Sequence, residues 1–171
     1  LVTSNDAGLA VADWPKSYGY NMFLFPFSRM SGGIYYEHAH RLFGSLVGLT
    51  TLVLAVQLWR VERRAWIRRL GLLALVLVVT QGVLGGLRVT GHLTMPGAGE
   101  SEPKIALAVV HGVTAQLFFA LVVSLCVFTS DSWASAPERK AQISPTARRL
   151  AAFLLAAVLL QLVLGALVRH L

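Results

Sequence analysis

The chain has 171 residues, of which 56% are hydrophobic and 13% charged, against about a quarter charged in an ordinary soluble domain. That balance excludes a soluble globular fold. The formal net charge is +7, yet the basic residues sit in the connections between apolar runs, so they report membrane topology and not a nucleic-acid partner.

Residues 1–36 are rich in turn formers and aromatics: Gly8, Asp13-Trp14-Pro15, Tyr18-Gly19-Tyr20-Asn21 and Phe23-Leu24-Phe25-Pro26-Phe27. Two uses stay open for them, an aromatic belt at headgroup level and a lid over a site at the helix ends. Gly32-Gly33 reads as a flexible joint before the first helix. With no initiating Met, signal peptide or leading apolar run ahead of a segment placed outside the membrane, the chain reads as a fragment of a longer protein.

Four uncharged runs follow, Leu42–Trp59, Leu70–Leu87, Ile105–Phe128 and Leu150–Val168, each of 18 residues or more and so long enough to span a bilayer. The expected fold class is an all-α integral membrane helical bundle with four transmembrane helices. Their expected extents are Tyr36–Trp59, Trp66–Val89, a third from Ile105, and Ala147–Val168. Arg60–Arg69 carries five Arg against one Glu, and Ser130–Arg149 carries three Arg and one Lys against two acids. By the positive-inside rule both loops are cytoplasmic, which leaves residues 1–36 and 90–104 extracytoplasmic. The same basic loops also suit anionic lipid headgroups. The expected organisation is an outer loop (1–36), three membrane helices (37–128), a cytoplasmic linker (129–147) and a further helix (148–171).

Chemistry concentrates at the mouth of the first helix. Glu37 and His40 are i, i+3 and share a helical face, which Gly44, Gly48, Thr51 and Ala55 continue as a stripe of small residues. Ionisable groups at membrane depth are functional candidates. The second helix ends in Gln81-Gly82-Val83-Leu84-Gly85-Gly86, and each glycine weakens it by roughly 1 kcal/mol relative to Ala. Close helix packing accounts for that, and so does a backbone or ring system pressed onto this surface. Gln81-x-Val83-Leu84-Gly85-x-Leu87 recurs as Gln161-x-Val163-Leu164-Gly165-x-Leu167, a weak echo of repeated bundles.

His111 lies on the third helix, with Thr114, Ala115, Phe118 and Val122 on the same face. His40 and His111 both fall roughly 6–9 Å inside their helices at ~1.5 Å per residue. A lone membrane His is usually a hydrogen-bonded packing residue. Two at one level, with a carboxylate a turn above one of them, favour binding a metal or the iron of a haem. A bare zinc site wants a third ligand, for which Glu37 is available; the apolar, glycine-rich surroundings favour a macrocycle. His38, two residues from His40, points to another face and reads as interfacial. His92 in a loop and His170 at the chain end are not expected ligands. Cys126 is the only cysteine, so it forms no intramolecular disulfide or Cys-based metal site and reads as a packing residue.

Taken in order, Ala7-Gly8-Leu9-Ala10-Val11-Ala12-Asp13-Trp14-Pro15, Glu37-x-x-His40-Arg41, Gln81-Gly82-x-Leu84-Gly85-Gly86 and the helical His111 resemble the haem A synthase family. The resemblance implies a protein of eight transmembrane helices in two similar halves, each with a His pair. Such a protein oxidises the C8 methyl of haem O to a formyl group, giving haem A for terminal oxidases. It implies His40 and His111 as axial ligands of the substrate haem and Glu37 as the catalytic carboxylate. Arg41, Arg88 and Lys104 are then candidates to hold the propionates, with snorkelling to headgroups as their alternative use. Haem b is expected in the C-terminal half, of which the resemblance implies this chain carries only the truncated first helix (148–171), the first helix of the whole protein being missing as well. The paired outer-loop cysteines of some members are also missing. The implied partners are haem O, the lipid bilayer, haem O synthase and terminal oxidase assembly factors, and the implied location is the bacterial plasma membrane. Two other classes stay open: a cytochrome b subunit that only transfers electrons, and a transporter half that relays protons through Glu37 and the His residues.

Overall fold

Each apolar run is dominated by Leu, Val and Ala, and in an apolar medium its backbone N–H and C=O groups have no partners except one another, which forces helix. The computed structural model describes residues 10–11, 13–90, 102–135 and 144–170, and of 102–105, 134 and 169–170 the backbone alone. Its helices are α1 (Gly32–Val61), α2 (Ala65–Thr90), α3 (Glu102–Thr129), the short α4 (Asp131–Ala134) and α5 (Pro145–His170). Two 3-10 turns, Met22–Leu24 and Phe27–Arg29, precede them. No strand occurs among the described residues, and the all-α class is as expected. Gly32–Val61, Ala65–Thr90, Ala106–Thr129 and Pro145–Val168 are each long and apolar enough to cross a membrane. This is an integral membrane protein.

Three helix starts differ from expectation by two residues or more; α3 begins at Glu102, three residues before Ile105. α1 begins at Gly32 and takes the Gly32-Gly33 joint into the helix; Gly32 has φ +53°, a left-handed value that glycine adopts without a Cβ penalty. α5 begins at Pro145, where a missing N–H loses nothing because the first turn has no acceptor for it. The Ser144 hydroxyl caps that turn, accepting from Ala147 N at 3.1 Å.

α2 is the middle helix, packed on α1 on one side and α3 on the other, and α3 carries α5. The tightest packing lies at the Arg-rich end. There Leu58, Ile67, Ala74 and Leu125 are buried together, flanked by Leu54, Leu70, Phe118, Leu121 and Phe128. Trp66, Phe128 and Trp133 meet edge to face with centroids 5.1 Å apart. In the turn between α1 and α2, Arg64 pairs with Glu62 at 2.8 Å, and the Arg64 side chain and then its backbone N–H hold the Glu62 carboxyl down at about 2. Knitting the helices at this end leaves the His-bearing end to the preceding loop.

Candidate functional site

Asp13 organises the loop. Its carboxylate accepts from Tyr18 N at 2.8 Å and Gly19 N at 2.9 Å, across a two-residue turn in which Tyr18 (φ +51°) and Gly19 (φ +79°) are both left-handed. Ser17 and Tyr20 exchange backbone hydrogen bonds of 3.0 Å either side of it. A left-handed Tyr costs roughly 1–2 kcal/mol, and the two carboxylate bonds offset that. Partial burial works against ionisation of Asp13, but the N–H groups of Gly19 and Tyr18, its own N–H and the charge of Arg41 outweigh it, so its pKa is lowered.

The loop is tied to α1 by a buried ion pair. Glu37 and Arg41 are i, i+4 and meet at 2.8 Å, with side chains only 6% and 7% exposed. The other carboxylate oxygen of Glu37 accepts from Val11 N at 3.0 Å. Arg41 Nη2 also donates to Val11 O at 2.7 Å, and Nη1 donates to Asp13 O at 2.7 Å and Lys16 O at 2.9 Å. Among these contacts, one oxygen of Glu37 goes to Arg41 and the other to the loop, and both terminal nitrogens of Arg41 donate to loop carbonyls.

His38 is not interfacial. It is 1% exposed, its Nδ1 lies 3.1 Å from Ser17 Oγ, and its ring packs on Phe25 with centroids 4.9 Å apart. Its spacing from His40 turned it to another flank as expected, but the loop folds back and covers that flank. The loop therefore covers this flank of α1, and its reach extends to α2. Three ring atoms of Trp14 lie 2.7, 2.8 and 2.9 Å from where a Cβ on Gly86 would stand. The ring system that the glycines of α2 accommodate here is an indole.

His40 is exposed on α1, and no described residue hydrogen-bonds it. His111 is half-buried on α3, and its Nδ1 is buried with no hydrogen-bond partner. A Cβ on Gly85 would lie 3.5 Å from His111 Cε1, an ordinary contact, and Gln81 Nε2 donates to the His111 carbonyl at 3.1 Å. His40 lies eight residues from the start of α1 (40 minus 32) and His111 nine from that of α3 (111 minus 102). Gly44, Gly48 and Gly82 have no atom within 4 Å of a would-be Cβ.

The donor set decides between ligands. Among the described residues no three of His, Cys, Asp and Glu gather, and Glu37 is turned into the loop, so a three-ligand zinc site using Glu37 is not assembled. That leaves two imidazoles, His40 on α1 and His111 on α3, with the glycine-rich end of α2 beside His111. A buried ring nitrogen left unpaired costs about 1–3 kcal/mol, which a bound partner would remove. Arg88 is half-buried in the last turn of α2. The side chains of Lys104 and His170 and the whole of His92 lie outside the described residues.

The COX15-CtaA family, described as cytochrome oxidase assembly protein, matches residues 20–171. The chain belongs to this family. That agrees with the haem A synthase resemblance and gives the protein a role in cytochrome oxidase assembly. No curated protein and no solved structure matches the chain. The family match starts at residue 20, after the segment that bonds Glu37, Arg41 and His38.

Trp14, Ser17, His38 and Gln81 enter the site from outside the sequence-derived residue set. The loop motif and the Gln81-Gly82-x-Leu84-Gly85-Gly86 string were visible signals for Trp14 and Gln81. Nothing in the spacing pointed to the Ser17–His38 contact.

Proposed function

We propose that this cytochrome oxidase assembly protein oxidises the C8 methyl of haem O to a formyl group, producing haem A for terminal oxidases. The observation that carries the reading is the unpartnered buried Nδ1 of His111 on α3, beside the glycine-rich end of α2, with the exposed His40 on α1, the helix on the other side of α2. His40 and His111 then hold the substrate iron from two sides. Held by both residues, the haem would be fixed in height and tilt relative to α1 and α3.

Converting a methyl to a formyl group with water as the oxygen source releases four electrons and four protons, so the reaction requires an electron-accepting redox partner. Glu37 is the catalytic carboxylate. With a guanidinium on one oxygen and a backbone N–H on the other, it serves better as a fixed negative charge than as a free base. It stabilises positive charge developing at the methyl carbon, an effect magnified in a site of low dielectric. The loop carrying Trp14 and Val11 shields that carboxylate from water. Arg41 acts through the loop, leaving Arg88 and Lys104 as the direct propionate partners.

The reading also places haem b, the electron-transfer group, in a C-terminal half, and takes haem O synthase and terminal oxidase assembly factors as partners. It sets the protein in the bacterial plasma membrane with residues 1–36 and 90–104 extracytoplasmic. The test is mass analysis of haem extracted from membranes of cells that make haem O and the full-length protein. Haem A or its hydroxylated intermediate supports the proposal. Recovery of haem b alone marks an electron-transfer subunit, and absence of haem marks a proton relay; either outcome overturns it.

A further inference from the structure

A second cleft lies at the opposite end of the protein from the His pair, between α1 and α2. Its volume is about 220 Å³; Ala55, Val56, Leu72 and Leu75 form its floor, and Trp59, Arg60 and Arg68 its rim. The Arg68 guanidinium carbon stands 5.4 Å from the centroid of the Trp59 ring. Stacked in that way, a guanidinium keeps its N–H edge free to donate. Glu62, the one acid in this turn, is taken by Arg64, and no described residue forms an ion pair with Arg60 or Arg68.

We infer that this cleft binds an anionic phospholipid, its phosphate on Arg60 and Arg68 and part of an acyl chain along the apolar floor. The floor belongs to two spanning helices, so in a bilayer the material beside it is hydrocarbon. The rim lies at the helix ends, where Trp and Arg side chains meet the headgroups. A groove with an apolar floor and two cations at one end matches an amphiphile of opposite charge, and basic pockets between membrane helices favour such headgroups. Ala55 leaves the depth that a larger residue would fill. A zwitterionic lipid would bring its own cation toward the two guanidiniums.

Native mass spectrometry of the purified chain in detergent, with dioleoylphosphatidylglycerol and dioleoylphosphatidylcholine added in equal amounts, tests the inference. Retention of the anionic lipid should exceed that of the zwitterionic one about tenfold. Arg60→Gln/Arg68→Gln should abolish the preference. Ala55→Trp should lower retention of the anionic lipid with every charge intact, as the response to a filled groove. Arg63→Gln/Arg69→Gln removes the same charge away from the cleft and should keep the preference, which also separates a lost site from a lost fold. Equal retention of the two lipids, or equal loss in both double variants, would overturn the inference. So would a cleft occupied by a second copy of the chain irrespective of lipid.

Discussion

The indole of Trp14 occupies the space that a methyl group on Gly86 would need, with its nearest ring atom 2.7 Å from the Cβ position. One contact thus joins the N-terminal loop to the end of α2, while Glu37 and Arg41 join the same loop to α1. The loop bridges the two helices at the end that carries His40.

Gly86→Ala should unseat Trp14. A ring is bulky and rigid, so the neighbour cannot yield as a flexible side chain would. Tryptophan emission should shift to the red and the loop should become more sensitive to protease. Gly82→Ala, with no atom within 4 Å of its Cβ, should leave both unchanged and stabilise the helix by about 0.5–1 kcal/mol.

Glu37→Gln leaves an acceptor for Val11 N but removes the charge that pairs with Arg41. Breaking a buried pair by removing one partner costs about 3–5 kcal/mol; here part of it falls on the loop, not on the whole fold. Tryptic cleavage after Lys16 and Arg29 should accelerate. In the full-length protein, haem should remain bound while formyl production stops.

Loop seating should also depend on pH through Asp13. Its pKa is held below the ordinary 3.8, so its stabilisation is fully present above that value and is lost as pH falls through the lowered folded value. The Asp13 contribution to loop protection should be flat from neutral pH to mild acid, then drop below the ordinary Asp range. Asp13→Asn should remove that acid transition and weaken seating at all pH values. Protease protection measured against pH, in the original chain and the variant, checks both.

How far the sequence reaches is clearest from particular residues. Four uncharged runs sufficed for the four spans, because length and hydropathy alone decide which segments can cross a bilayer. The placing of His40 on the first helix and His111 on the third was also legible, since both lie in or beside uncharged runs. Glu37 was legible as a special carboxylate, but its partners were not: Val11 lies 26 residues away in the chain, and no helical period connects a loop to a helix. His38 was misread for the same reason. Spacing says which flank a side chain occupies; what covers that flank is decided by tertiary folding.

The internal echo separates in the structure. Gln81 donates to the His111 carbonyl, whereas Gln161 is exposed on α5. Gln81→Leu should therefore shift the absorption band of bound haem by loosening the seat of His111, at about 1 kcal/mol for one lost hydrogen bond. Gln161→Leu should leave the band in place.

Spectroscopic titration of haem O into the purified protein tests the central claim most directly. Ligation by His40 and His111 predicts a six-coordinate, low-spin spectrum that becomes five-coordinate when either residue is changed to Ala and disappears when both are. An unaltered low-spin spectrum in His40→Ala or His111→Ala would contradict it.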